Sequence, residues 1–115
     1  MEMQGKFWGR TSPLFNRNNV EINRIEAGKD GFSSEHKHTA KYNMFVVERG
    51  CLLITVWKDP SGQPDKTFIR PGQTCTVPPG FYHSFQAVED TVAYEIYWTQ
   101  LDADDIQRRT SGGSK

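Results

Sequence analysis

From Val20 to Thr99 turn residues cut the chain into short pieces rich in β-branched and aromatic side chains, and none shows the period of a helix. The pieces are Val20 to Ala27, Phe32 to His38, Tyr42 to Glu48, Cys51 to Lys58, Thr67 to Arg70, Thr74 to Val77, His83 to Ala87 and Val92 to Thr99. Each ends at a signal with a physical basis. G-K-D-G at 28–31 supplies positions tolerant of positive φ, D-P-S-G at 59–62 and P-G at 71–72 are turns, and P-P-G at 78–80 is a rigid corner. About eight short strands at this spacing predict an all-β sandwich or barrel.

At 115 residues the chain fits one domain. We assign 1–19 to an N-terminal arm packing on the barrel or on a second subunit. Residues 20–100 form the barrel, and 101–115 a short helical turn followed by a disordered tail. The turn is read from L-D-A-D-D-I-Q-R-R, where Asp102 would cap and the arginines would match the helix dipole. Two strands look apolar on both faces: C-L-L-I-T-V-W, and A-Y-E-I-Y-W near the end. Their outer faces need cover, either from a second copy in a homodimer or from Phe7, Trp8, Leu14 and Phe15 of the same chain.

Lysine plus arginine equals aspartate plus glutamate, 14 against 14, so no net field draws the protein to nucleic acid or to an anionic membrane. The longest apolar run, Cys51 to Trp57, is far shorter than a bilayer span. The opening M-E-M-Q-G-K-F-W-G-R lacks an apolar signal region, so we expect a cytoplasmic protein with Cys51 and Cys75 as reduced thiols. The expected partner is a small molecule.

The chain has three histidines. His36 and His38 stand at i and i+2, which on an extended strand sends both imidazoles to one face. His83 follows the P-P-G corner, which can aim it back at the first two. Three neutral imidazoles are a common metal-ligand set. The bland alternative is an empty site whose motifs serve folding alone.

Two stretches, G-F-S-S-E-H-K-H-T-A-K-Y-N-M-F-V-V-E-R-G and G-Q-T-C-T-V-P-P-G-F-Y-H-S-F-Q-A, resemble the two sequence motifs of the cupin family. Gly31, His36, His38 and Gly50 match the first motif, and Gly72, Pro78, Gly80 and His83 the second. The resemblance covers about half the chain. It implies a double-stranded β-helix, or jelly-roll barrel, with a divalent metal inside. Three positions depart from it: Gly31 is one residue closer to His36, Ala87 replaces an asparagine, and Asn43 occupies the place of the acidic ligand. Glu48 and Glu35 fall on opposite faces to the site by strand parity, so neither replaces the missing carboxylate.

The resemblance therefore implies a metal held by His36, His38 and His83, with Asn43 as a weak fourth ligand. Iron, manganese, nickel, zinc and copper all suit such a set. Three nitrogens on one side leave open positions for water, substrate or O₂. The implied activity is that of a metalloenzyme acting on a small oxygenated or sugar-like molecule, by dioxygenase-like or by isomerase- or lyase-like chemistry. A non-catalytic module binding a small ligand or metal is the alternative. Glu95, the only charge in A-Y-E-I-Y-W, is the candidate catalytic acid or base if it faces inward; facing outward it is a paired surface glutamate. Tyr97 shares its face. Tyr42, Tyr82 and Phe81 border the expected mouth, and Lys41 and Arg70 are candidate anion contacts.

Overall fold

The computed structural model describes residues 4–59, 61–100 and 103–115. Nine strands follow in order: β1 Gln4–Lys6, β2 Gly9–Arg17, β3 Val20–Ala27, β4 Tyr42–Arg49, β5 Leu52–Trp57, β6 Asp65–Ile69, β7 Thr74–Val77, β8 Tyr82–Ala87 and β9 Thr91–Trp98. They form a six-stranded sheet in the order β1-β2-β3-β9-β4-β7 and a three-stranded sheet in the order β6-β5-β8, with every neighbouring pair antiparallel. The all-β jelly-roll expectation holds.

Alternation along the strands creates the core. On β3 the burial pattern puts Asn23, Ile25 and Ala27 inside, and on β4 it puts Asn43, Phe45 and Val47 inside. Strand β5 is buried on both faces through Leu52, Ile54, Thr55 and Val56, as its unbroken apolar run requires. Phe45, 1% exposed, meets Phe85 edge to face at 5.9 Å, and Trp8 meets the same ring edge to face at 5.0 Å.

Residues before Val20 add strands at the edge of the large sheet, because β2 pairs with β3 from Gly9↔Ala27 to Arg17↔Val20. Trp8 alone of their large apolar side chains reaches the core; Phe7, Leu14 and Phe15 are exposed. The outer face of β3, β9 and β4 carries Ile22, Ile96 and Met44 as register partners, all half-buried.

Two expectations need correction. Phe32 to His38 is not a strand. It runs beside β8 and touches it through two isolated bridges, Phe32↔Gln86 and His36↔His83. The segment is short of apolar residues at alternate positions, and it leaves Ser34 and Glu35 exposed in succession. Nor is there a helix among the described residues 103–115, which hold only turns and bends; Leu101 and Asp102 lie outside the described residues. Ile106, 56% exposed, is not packed on the barrel, and a helix that short is marginal without packing.

Candidate metal centre

The segment before β4 and the start of β8 hold the histidines by reciprocal backbone bonds. The His36 amide donates to the His83 carbonyl at 3.0 Å, and the His83 amide donates back to that of His36 at 2.8 Å. The Gly80 amide donates to the His38 carbonyl at 2.8 Å. Gly80 adopts φ +93°, a left-handed geometry that glycine enters at no steric cost, so the P-P-G corner returns the chain onto the first histidine pair. Gly31 serves by its lack of a side chain: a Cβ there would lie 2.8 Å from the Trp8 carbonyl oxygen.

One ligand nitrogen from each of His36, His38 and His83 lies within 4.8 Å of the others. Ring centroids are 5.2 Å apart for His36 and His38, 4.6 Å for His36 and His83, and 5.5 Å for His38 and His83. Two of the rings have a fixed tautomer. Nδ1–H of His83 donates to the Phe81 carbonyl at 3.0 Å, and Nδ1–H of His36 donates to the Ser34 carbonyl at 3.0 Å. Each bond leaves Nε2 as the unprotonated nitrogen, the arrangement by which outer partners orient metal-binding imidazoles.

Burial favours the neutral form of two of the rings, His38 and His83. It lowers His38 to about 4, with the charges of Lys41, His36 and His83 acting in the same direction. His83, 1% exposed, is lowered chiefly by burial as well. Because the folded value of His38 lies below its ordinary 6.5, protonation opposes folding. The metal-free protein should therefore lose stability as pH falls through the window from 6.5 to about 4. Urea unfolding midpoints at pH 7 and pH 4.5 measure this, and His38→Gln should flatten the difference; equal slopes in both proteins would count against it.

The fit to a cation rests on unpartnered atoms. His38 Nε2 and Asn43 Oδ1 are both buried and without a hydrogen-bond partner. These two atoms, beside the unprotonated Nε2 of His36 and of His83, are a set a divalent ion would satisfy, the ion replacing the long contact of His83 Nε2 with the Asn43 amide. Asn43 is fully buried, and its Nδ2 lies 3.4 Å from His83 Nε2.

Glu95 and Tyr97 face inward. Glu95 is 8% exposed and accepts a hydrogen bond from the Tyr97 hydroxyl. Burial pushes its carboxyl above the ordinary carboxylate range, against the opposing pull of Tyr97, the His36 charge and the Asn43 amide. Burial and the Glu95 charge push Tyr97 upward as well. Glu48, by contrast, is exposed and accepts from Tyr94 at 2.9 Å on the opposite face, as parity requires, and Glu35 is exposed.

A cavity of about 1260 Å³ opens beside the histidines, lined among others by His36, Glu95, Tyr97, Lys41, Glu21 and Asn23. Glu21 and Asn23 are site residues the sequence reading missed. They share parity with Ile25 and Ala27 in V-E-I-N-R-I-E-A, so the core residues of that strand already carried the signal. Asn23 donates to Glu21 at 3.0 Å. The other aromatic candidates lie elsewhere. Tyr42 stacks on Trp98 at 5.4 Å, Tyr82 is half exposed under the Lys37 ammonium, and Phe81 serves through its carbonyl. Arg70 is exposed and does not line the cavity, whereas Lys41 does.

A two-sheet antiparallel barrel with three imidazoles converging inside is a double-stranded β-helix with a histidine cluster suited to a metal ion. The chain belongs to the cupin family, whose model, described as Cupin, matches residues 7–114. Solved structures share the fold at low identity. KdgF from Halomonas sp. is 13% identical, with 89% of each chain covered and a TM-score of 0.74. The cupin domain of Cnp3 from Schizosaccharomyces pombe is 16% identical, covering 87% of this chain and 69% of the other, with a TM-score of 0.72. The capsular polysaccharide assembling protein CapF from Staphylococcus aureus is 16% identical, covering 90% of this chain and 30% of that longer one, at a TM-score of 0.73. No curated protein sequence matches. Among the described residues no helix is long and apolar enough to cross a membrane.

Proposed function

We propose that the protein holds a divalent metal ion on His36, His38 and His83 and acts as an isomerase or lyase on a small oxygenated molecule in the adjoining cavity. The observation that carries this reading is the placement of a buried carboxyl, Glu95, on the cavity that His36 of the histidine cluster also lines. Bound there, a divalent ion supplies Lewis acidity that polarises a carbonyl or hydroxyl oxygen. Glu95 then takes or returns the proton at its carboxyl oxygen. Its burial holds its affinity for that proton closer to neutral than an exposed carboxylate would have, which suits transfer in both directions. Tyr97 orients the carboxyl through its hydroxyl, and the Asn43 amide lies against both Glu95 and His83.

The same ligand set is compatible with O₂ chemistry, and one assay separates the two. Metal-loaded protein is incubated in D₂O with a panel of hydroxycarbonyl compounds and followed by proton NMR and an oxygen electrode. Deuterium entry next to the carbonyl, lost on chelation and without oxygen uptake, is the expected result. Oxygen uptake without exchange would replace this reading with the dioxygenase one, and binding with neither would favour a non-catalytic module.

A further inference from the structure

Lys41, immediately before β4, is half-buried and lines the cavity. Its ammonium lies 4.3 Å from the centroid of the Tyr97 ring, and its charge is felt at His38. It therefore stands beside the place where the His38 and Tyr97 rings meet, their centroids 5.2 Å apart. Among the described residues Lys41 forms no ion pair; the ion pairs there are Arg10–Glu26, Arg24–Glu26 and Lys58–Asp65. Of the three acids that line the cavity, Glu21 accepts from Asn23 and Glu95 from Tyr97, and the third, Asp30, forms no ion pair with Lys41. Lys6 and Lys29 line the same cavity and are likewise outside any ion pair among the described residues.

An ammonium half-buried on an aromatic face, with no carboxylate beside it, is a charge held ready for an anion from solution. The rest of the lining narrows the anion. Phe32 is 70% exposed and Phe7 fully so, and both line the cavity, giving flat apolar faces at its mouth. Deeper in, the buried Asn23 and Ser33 offer hydrogen-bonding groups for hydroxyls.

The geometry points to a hydroxylated carboxylate of the sugar-acid class as the ligand, with its carboxylate on Lys41, its hydroxyls toward the histidine cluster and its ring or chain against the mouth aromatics. This rests on the reading of the cavity as the substrate site and goes beyond it by naming the substrate's charge. Lys41 is a binding and specificity residue; it ligates no metal.

The test uses galacturonate and its uncharged counterpart galactose, titrated calorimetrically into metal-loaded protein, into Lys41→Met, and into Lys66→Met as a control on the exposed strand β6. The intact protein and the control should bind galacturonate about tenfold or more tightly than galactose, as one charge-assisted contact predicts. In Lys41→Met the difference should vanish while the bound metal is unchanged. Equal affinities for the two sugars in the intact protein, or a preference that survives Lys41→Met, would overturn the inference. Metal analysis of the loaded protein before titration separates the two readings: a Lys41-dependent preference in protein that fails to retain any divalent ion sinks the metal site and leaves the carboxylate site standing.

Discussion

Replacing His83 with alanine should lower affinity for divalent ions by at least about a hundredfold. Changing only the outer partners of metal-binding histidines commonly costs ten- to a hundredfold, and His83 is the most buried of the three ligands, with Nδ1 already committed to the Phe81 carbonyl. No other histidine exists to take its place. Competition between the protein and a chromophoric chelator for zinc or cobalt measures the loss. His83 is also a core residue, so His36→Ala, at a half-exposed position, provides a second variant with less risk to folding. Both variants should lose the ion while keeping the β-rich circular dichroism of the intact protein. Unchanged affinity in a folded His36→Ala variant would show that the cluster is not a ligand set.

Glu95→Gln should lower turnover by about 10² to 10⁴, the usual contribution of a positioned acid or base. The same change should make the metal-free protein more stable at pH 8. The sign follows from the direction of the shift. A carboxyl whose folded value is raised favours the folded state when protonated, a contribution present below its ordinary 4.5 and lost as pH rises through the folded value. At pH 8 the ionised group in its buried place is a cost that glutamine removes, while the amide can still accept from Tyr97. Thermal unfolding at pH 8 and pH 4 tests the point, with a higher midpoint for the variant expected at pH 8 only. A lower midpoint at pH 8 would mean that the carboxylate is compensated by charges around it, and normal turnover would remove Glu95 from the chemistry.

Much of this architecture was legible from residue patterning. Val20–Ala27 and Thr74–Val77 fall where the alternation and the turn residues put them, and the remaining barrel strands differ by one or two residues at their ends. The inward aim of Glu95 was not decidable from its own strand, because A-Y-E-I-Y-W is apolar on both faces. The register does decide it, by setting Glu95 opposite Phe45 and Asn23, two residues of the inner face. Strand β2 escaped notice because T-S-P-L-F-N-R carries a proline and little alternation. At the sheet edge such a residue is tolerated, and the register shifts between Pro13 and Phe15. The histidine pair converges although its segment is not a strand. The bridge of His36 to His83 and the Gly80 bond to His38 impose what strand parity was expected to supply.

Asn43 also changes meaning in three dimensions. Parity showed that no neighbouring carboxylate in its own strand replaces the acid its position usually holds. A carboxyl nevertheless enters the same interior from β9, with Asn43 between it and His83. The acid is thus present beside the imidazoles as a proton-transfer group, with no carboxylate among the three-residue ligand set.

X-ray absorption at the metal edge of cobalt- or zinc-loaded protein tests this account most directly. Three imidazole nitrogens at about 2.0–2.1 Å, completed by light oxygen scatterers from water or Asn43, are the predicted first shell. A shell with fewer than three imidazoles, or one that is unchanged in His83→Ala, would contradict it.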